Sequence, residues 1–274
     1  MRLATLRLGG KTAAVVVDGE RFSVVAAPDV GTVLATGGLA SIPHIQGRLD
    51  PLRLADLAPV VPHPPKILCL GHNFRSHVQE MGRDLPTHPT LFAKFARALI
   101  GPRDRILLPR QSRQVDWEAE LGVIIGSEAR NAERDEAEAA IAGYTIVNDI
   151  SARDWQSRTS QWLQGKNFEA TTPIGPWMVT PDELDVSDLE IRCEVDGTVV
   201  QKANTSDFIF GPAEVVSYIS QFVTLEPGDL ISMGTPAGVG AARKPPVFLR
   251  AGQVVRTSIE GIGYLVNECA EWDR

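Results

Sequence analysis

The sequence is poor in the features that mark secreted, membrane-spanning or nucleic-acid-binding chains. Only three cysteines, Cys69, Cys193 and Cys269, occur in 274 residues. They are far apart and odd in number, which argues against a disulfide frame or a zinc site and fits buried thiols in a reducing compartment. No apolar run reaches the roughly 18 residues that cross a bilayer. The opening MRLATLRLGGKTAAVVVDGERF is broken by charges and reads as a hairpin, not an export signal. The expected location is therefore the cytoplasm, with no membrane partner. Basic runs are also missing: 27 Lys+Arg against 34 Asp+Glu leave a formal net charge of −7, so no nucleic-acid partner is expected. GTPAGVG lacks the lysine of a P-loop, no GxGxxG follows a strand pattern, and there is no GxSxG elbow. Nucleotide binding and covalent serine chemistry are not indicated.

What is present is an ordinary globular composition, 43% hydrophobic and 22% charged, enriched in turn formers with 24 Gly and 19 Pro. That balance disfavours a helical bundle and predicts many short strands. Strand patterns around Gly9-Gly10 and Asp18-Gly19, a helix-prone TVLATGGLASI and a polar link make a small leading domain over 1–63. The stiff Val61-Pro62-His63-Pro64-Pro65 cannot continue a ladder and marks the boundary. A larger domain over 64–274 follows, with strands at KILCLG, QVDWEAELGVIIG, YTIVNDIS, IRCEV, TVVQ, GDLISMG and VVRTSIEG. Asp196-Gly197 predicts a type I′ hairpin turn. Helices are expected at 133–142, ended by Gly143, and from Pro212, where Val215, Val216, Ile219 and Phe222 share a stripe.

Chemistry concentrates in a few segments. Over Val115 to Val123, alternation puts Val115, Trp117, Ala119, Leu121 and Val123 on one face and Asp116, Glu118 and Glu120 on the other. This reads either as the solvated face of a half-buried strand or as carboxylates about 7 Å apart held by a hard divalent cation. Asp149, in phase with Thr145 and Val147, is either a buried acid needing a partner or a carboxylate capping the turn before Ser151. Three oxygen ligands without Cys or His would select Mg²⁺ or Mn²⁺. His77 and Glu80, three residues apart, form either a surface pair or a dyad in which the carboxylate orients a general base. Lys166 in GKNFE reads as a loop charge, and the glycines and proline around Thr235 as a tight turn.

Taken in order, LCLGHNFRSHVQEMG, PTLFAKF, VDWEAELGVIIG, AGYTIVNDISARDWQ, GKNFE, VDGTVVQ, TLEPGDLISMGTPAGVG and IEGIGYLVN resemble the fumarylacetoacetate hydrolase family over about residues 66 to 268. The likeness is to its small branch of acylpyruvate hydrolases, decarboxylases and isomerases. The resemblance implies a mostly β fold with a few helices (α+β), a mixed β-roll, and a homodimer. It implies Glu118, Glu120 and Asp149 as ligands of one Mg²⁺ or Mn²⁺, and His77 and Glu80 as a lid dyad that activates water. Arg153 and Gln156 correspond to groups that hold the substrate's oxygens, with Lys166 and Thr235 bordering the pocket and Lys166 counted among the catalytic groups. The implied activity is carbon–carbon hydrolysis of an acylpyruvate or related 1,3-dicarbonyl oxo acid. Alternatives are decarboxylation of an oxaloacetate-like acid, isomerisation of a 2-hydroxy-diene-dioate in aromatic catabolism, or metal binding without catalysis. Phe74 stands where the family more often has Tyr, and Glu169 where Asp is commoner, leaving the substrate's distal group open. Residues 72 to 90, punctuated by Gly82, Pro86 and Pro89, are expected to be a lid that becomes helical at His77 to Glu80 on binding substrate.

Overall fold

The computed structural model describes residues 1–42, 50–51 and 53–272. The leading segment forms β1 (Arg2–Leu8), β2 (Lys11–Asp18), β3 (Arg21–Val24), helix α1 (Val30–Thr36) and the short β4 (Asp50–Pro51). Asp29 caps α1 by accepting from the Thr32 amide at 2.7 Å. The polar link expected after Ile42 lies largely outside the described residues. From residue 66 onward come β5 (Ile67–Gly71), α2 (Arg75–Glu80), β6 (Thr90–Lys94), β7 (Leu99–Ile100), β8 (Ile106–Leu108), β9 (Val115–Asp116) and β10 (Ala119–Ile125). The chain continues through α3 (Arg134–Ala139), β11 (Ile141–Asn148), β12 (Ser151–Ala152), α4 (Arg153–Gln156), α5 (Leu163–Lys166) and β13 (Thr172–Val179). It closes with β14 (Glu190–Val195), β15 (Thr198–Asn204), α6 (Pro212–Ser220), β16 (Leu230–Ser232), β17 (Val254–Ile259) and β18 (Gly263–Glu271). This is the strand-rich α+β fold expected from the turn-former content.

Two sheets carry the architecture. The larger runs β4-β3-β2-β1-β13-β11-β10-β16-β5-β6, with β7 alongside β13; the smaller runs β15-β14-β17-β18-β8. Residues 61–65 join no described ladder, as their prolines require. The leading strands extend the large sheet, because β1 pairs antiparallel with β13 through Arg2↔Val179 and Leu3↔Met178. Asp196 and Gly197 take φ of 49° and 77° in the β14–β15 turn, the two positive values a type I′ turn needs.

Two strands behave differently from their sequence pattern. The run Val115 to Val123 is not one half-buried strand: β9 ends at Asp116, β10 starts at Ala119, and every residue of β10 is buried. Leu121, Val123 and Ile125 pack into the core with Ile191, Ile259 and Leu265 of the small sheet. On its other face Ile124 packs with Cys69, Leu3 and Met178. A strand covered on both faces has no solvated side on which to place acids, so Glu118 and Glu120 are interior groups. The helix from Pro212 buries Val215, Val216 and Ile219 but stops at Ser220, leaving Phe222 59% exposed and off the expected stripe. The helix at 133–142 is trimmed to Arg134–Ala139 because β11 begins at Ile141; a capping box between Glu133 and Glu136 fixes its start.

Candidate active site

Glu118, Glu120 and Asp149 converge where β10 and β11 meet. Each offers one carboxylate oxygen, and the three lie within 4.8 Å of one another, all buried. Asp149 sits one residue past β11, not inside it as its phase suggested; its amide donates to the Glu118 carbonyl at 2.9 Å, which sets the two acids side by side. Glu120 is held by Ser232 Oγ at 2.5 Å and the Gly234 amide at 2.8 Å, both on Oε2. Its Oε1 is buried with no hydrogen-bond partner among the described residues.

Cations balance this cluster. Lys166, expected as a loop charge, lies in α5 with its side chain only 2% exposed, and its ammonium bridges Glu118 Oε2 at 2.6 Å and Asp149 Oδ2 at 2.7 Å. Lys94 donates to Asp149 Oδ1 at 2.6 Å. Arg153 pairs with Glu118 Oε1 at 2.5 Å and with Asp116 Oδ2 at 2.8 Å, and reaches Gln156 Oε1 at 2.9 Å. Its Nη2 is buried and unpartnered among the described residues. Burial pushes the Glu118 carboxyl up, but Lys166 and Arg153 outweigh it and hold the group at about 2. Glu120 has no such ion pair, and burial together with Asp149 and Glu118 raises it well above the usual carboxylate range.

The donor set fits a hard divalent cation. It is all oxygen, and one buried carboxylate oxygen, Glu120 Oε1, lacks a partner among the described residues and faces two like charges. The Ser232 and Gly234 donors orient that carboxylate from behind, as outer groups do for metal ligands.

Helix α2 carries His77 and Glu80, and the residues from His77 to Glu80 are helical within it. Asn73 anchors its base, donating to the carbonyls of Phe210 at 3.1 Å and Met233 at 2.8 Å and accepting from the Phe210 amide at 2.9 Å. His77 Nδ1 lies 3.1 Å from Glu80 Oε2, while Glu80 Oε1 accepts from the Gly238 amide at 3.0 Å. The glycine-rich loop after β16 is thereby tied to α2. The same loop places Thr235, whose hydroxyl donates to the Ala119 carbonyl at 3.1 Å and accepts from Gln201 at 2.8 Å.

Several contributors escaped the sequence reading. Asp116 is not a third acid of the cluster: it accepts from the amides of Trp117, Gly240 and Ala241 and from Arg153. Lys94 could have been flagged as a lysine inside the strand TLFAK. Gln201 and Asn73 carried no local signal. Gly165 matters by what it lacks, since a Cβ there would stand 2.4 Å from the Gln156 amide nitrogen and 2.6 Å from the Ala152 carbonyl oxygen. Gly165→Ala should therefore push α5 away from α4, displace Lys166 and cost about 3 kcal/mol by overpacking. Thermal melting and turnover measured together check this, and an unchanged melting temperature refutes it.

The family model described as Fumarylacetoacetate (FAA) hydrolase C-terminal matches residues 66–270. The chain belongs to the fumarylacetoacetate hydrolase family. Among relatives, the human protein named oxaloacetate tautomerase FAHD2A, mitochondrial, is 46% identical over 215 residues, 77% of this chain and 68% of the relative. The Xenopus laevis oxaloacetate tautomerase fahd2, mitochondrial, is 44% identical over 236 residues, 85% of this chain and 73% of the relative. Among solved structures, a fumarylacetoacetate hydrolase from Exiguobacterium antarcticum aligns with a TM-score of 0.86 at 30% identity, covering 99% of this chain and 100% of that one. A 2-hydroxyhepta-2,4-diene-1,7-dioate isomerase from Mycobacterium marinum aligns at 0.80 with 34% identity, covering both chains fully. Two of these proteins are named tautomerases, one an isomerase and one a hydrolase, so the carbon–carbon hydrolase first expected is not confirmed. The tautomerases' names place them in mitochondria, so the cytoplasmic expectation draws no support from them; no described helix is long and apolar enough to cross a membrane.

Proposed function

We propose that this chain interconverts the enol and keto forms of a small 2-oxo acid of the oxaloacetate kind. The observation that carries the reading is the dyad: His77, only 9% exposed on helix α2, has its Nδ1 fixed by Glu80 and lies close enough to the buried acid cluster to interact electrostatically with Glu118. A hydrolase must admit and aim a water molecule, whereas tautomerisation needs only a base in a closed pocket, where excluding water prevents proton leakage. The names of the relatives support the same choice.

Glu118, Glu120 and Asp149 would hold one Mg²⁺ or Mn²⁺. A divalent ion bound there supplies Lewis-acid stabilisation of negative charge on the substrate's oxygens. Glu80 accepts the Nδ1 proton of His77, which leaves Nε2 as the atom that takes and returns a proton. In the enol-to-keto direction the O–H bond of the enol breaks, a C–H bond forms at C3, and His77 carries the proton, so no net proton is consumed. Lys166 gives two ammonium protons to Glu118 and Asp149 and keeps a third for a substrate oxygen. Arg153, fixed by Asp116 and Glu118, presents its unpartnered Nη2 to the substrate's oxygens, with Gln156 and Thr235 bordering the same pocket.

The test follows the ultraviolet enol band of oxaloacetate with Mg²⁺ present, with pyruvate assayed in parallel. Accelerated enol decay without matching pyruvate is expected. Stoichiometric pyruvate would make the protein a decarboxylase, and cleavage of acetylpyruvate with no effect on oxaloacetate would restore the hydrolase reading.

A further inference from the structure

An all-oxygen set of three carboxylates would by itself admit Ca²⁺ as well as Mg²⁺. What separates the two ions is how many oxygens can face them. Ca²⁺ gathers roughly six to eight and often takes both oxygens of one carboxylate, whereas the smaller Mg²⁺ takes few protein ligands and keeps several waters. In this site one oxygen of every acid is already committed to a donor. Glu120 Oε2 accepts from Ser232 Oγ at 2.5 Å and from the Gly234 amide at 2.8 Å. Glu118 Oε1 pairs with Arg153 at 2.5 Å, and that guanidinium is anchored in turn by Asp116 at 2.8 Å. Asp149 Oδ1 lies 2.6 Å from the ammonium of Lys94, whose side chain is only 1% exposed and also reaches the Ile150 carbonyl at 3.4 Å.

The remaining oxygens are Glu118 Oε2, Asp149 Oδ2 and Glu120 Oε1, one from each acid. Glu120 Oε1 is buried without a partner among the described residues. Lys166 spans the other two, and its described hydrogen bonds go to those two carboxylates alone, so a cation seated between them competes with a single ammonium. Lys94 is placed differently, on β6, with its described ion pair to Asp149 Oδ1 only. An oxygen held 2.6 Å from a buried ammonium cannot turn to a dication without driving like charges together. We propose that Lys94 is a specificity-determining residue of the cation site: by holding Asp149 Oδ1 it limits that acid to one metal-facing oxygen and so selects Mg²⁺ or Mn²⁺ against Ca²⁺. This rests on the cation site proposed above and not on the reaction assigned to it.

Calorimetric titration of the full chain with magnesium chloride and with calcium chloride reads the ratio of the two affinities. The wild type is expected to bind Mg²⁺ at least as tightly as Ca²⁺. Lys94→Met removes a positive charge and should tighten both ions, but it also frees Asp149 Oδ1 and should shift the ratio towards Ca²⁺ by about tenfold or more, the scale on which groups that orient metal ligands act. Lys94→Gln, which keeps a polar tip for the Ile150 carbonyl, should shift it the same way and carries the test if circular dichroism shows that Lys94→Met does not fold. Equal gains for both ions, with the ratio unchanged, would reduce Lys94 to a background charge and overturn the proposal, as would a wild type that binds Ca²⁺ more tightly than Mg²⁺. Binding of neither ion removes the cation site and the proposal with it. The expected ratios without acceleration of oxaloacetate enol decay remove the tautomerase reading and leave the role of Lys94 intact.

Discussion

Replacing His77 with alanine should slow enol decay of oxaloacetate by about two to four orders of magnitude, the usual worth of a positioned general base. Binding should survive, because the hydrogen bond and ring contact described for His77 are with Glu80 and His72 and no described hydrogen bond ties it to the acid cluster. The change should therefore appear in kcat with KM within a few-fold. Glu80→Gln should give a smaller loss, since it weakens the hold on Nδ1 and on the Gly238 amide without removing the imidazole. Steady-state kinetics of both variants at saturating Mg²⁺ decide the matter. A His77→Ala enzyme within threefold of wild type places the base elsewhere.

The second large effect concerns Glu120. Groups that merely orient a metal ligand are worth about 10- to 100-fold in affinity, so removing a ligand itself, in Glu120→Ala, should weaken Mg²⁺ or Mn²⁺ binding by about 100-fold or more. The proton inventory sharpens the test. Burial and the charges of Asp149 and Glu118 raise the free Glu120 carboxyl well above its ordinary range, so it keeps its proton to higher pH than an ordinary carboxyl and a cation competes with that proton. Metal affinity should then rise with pH as that proton becomes easier to remove, and binding should release a proton. Calorimetry in two buffers of different ionisation heat reads that proton directly. The same titration on Glu120→Ala should show neither tight binding nor buffer dependence. Unchanged affinity in the variant would remove Glu120 from the ligand set.

Much of this was legible from the chain, for identifiable reasons. Turn chemistry is local, so the Asp196-Gly197 hairpin and the start of α6 at Pro212 could be placed directly. The acid cluster was visible because E-x-E and N-D sit inside apolar runs, where carboxylates need a reason to be. Phase, by contrast, misled. Period-two alternation assigned Asp116 to the same face as Glu118 and Glu120, but the chain breaks between Asp116 and Ala119, and Asp116 turns to amides more than 120 residues away at Gly240 and Ala241. Lys166 looked like a solvated charge because nothing nearby in sequence announces that Glu118, 48 residues earlier, waits for it. Long-range ion pairing leaves no periodic trace. Hydrolysis was expected because a His-x-x-Glu dyad suits water activation, but the same buried dyad suits proton transfer equally well.

The leading strands have a consequence beyond their own stability. Leu3, Val16, Val30 and Leu34 share one apolar cluster with Cys69, Ile124, Val147 and Met178, of which Ile124 and Val147 lie on β10 and β11, the strands that place the acids. Cutting the chain near residue 64 would strip water-excluding cover from the back of those strands and bare the backbone groups of β13 that now bond to β1. Such a naked sheet margin recruits other chains edge to edge. Although the family match begins only at residue 66, removing the leading strands should therefore make the remaining sheet prone to self-association, which light scattering of the truncated chain would read.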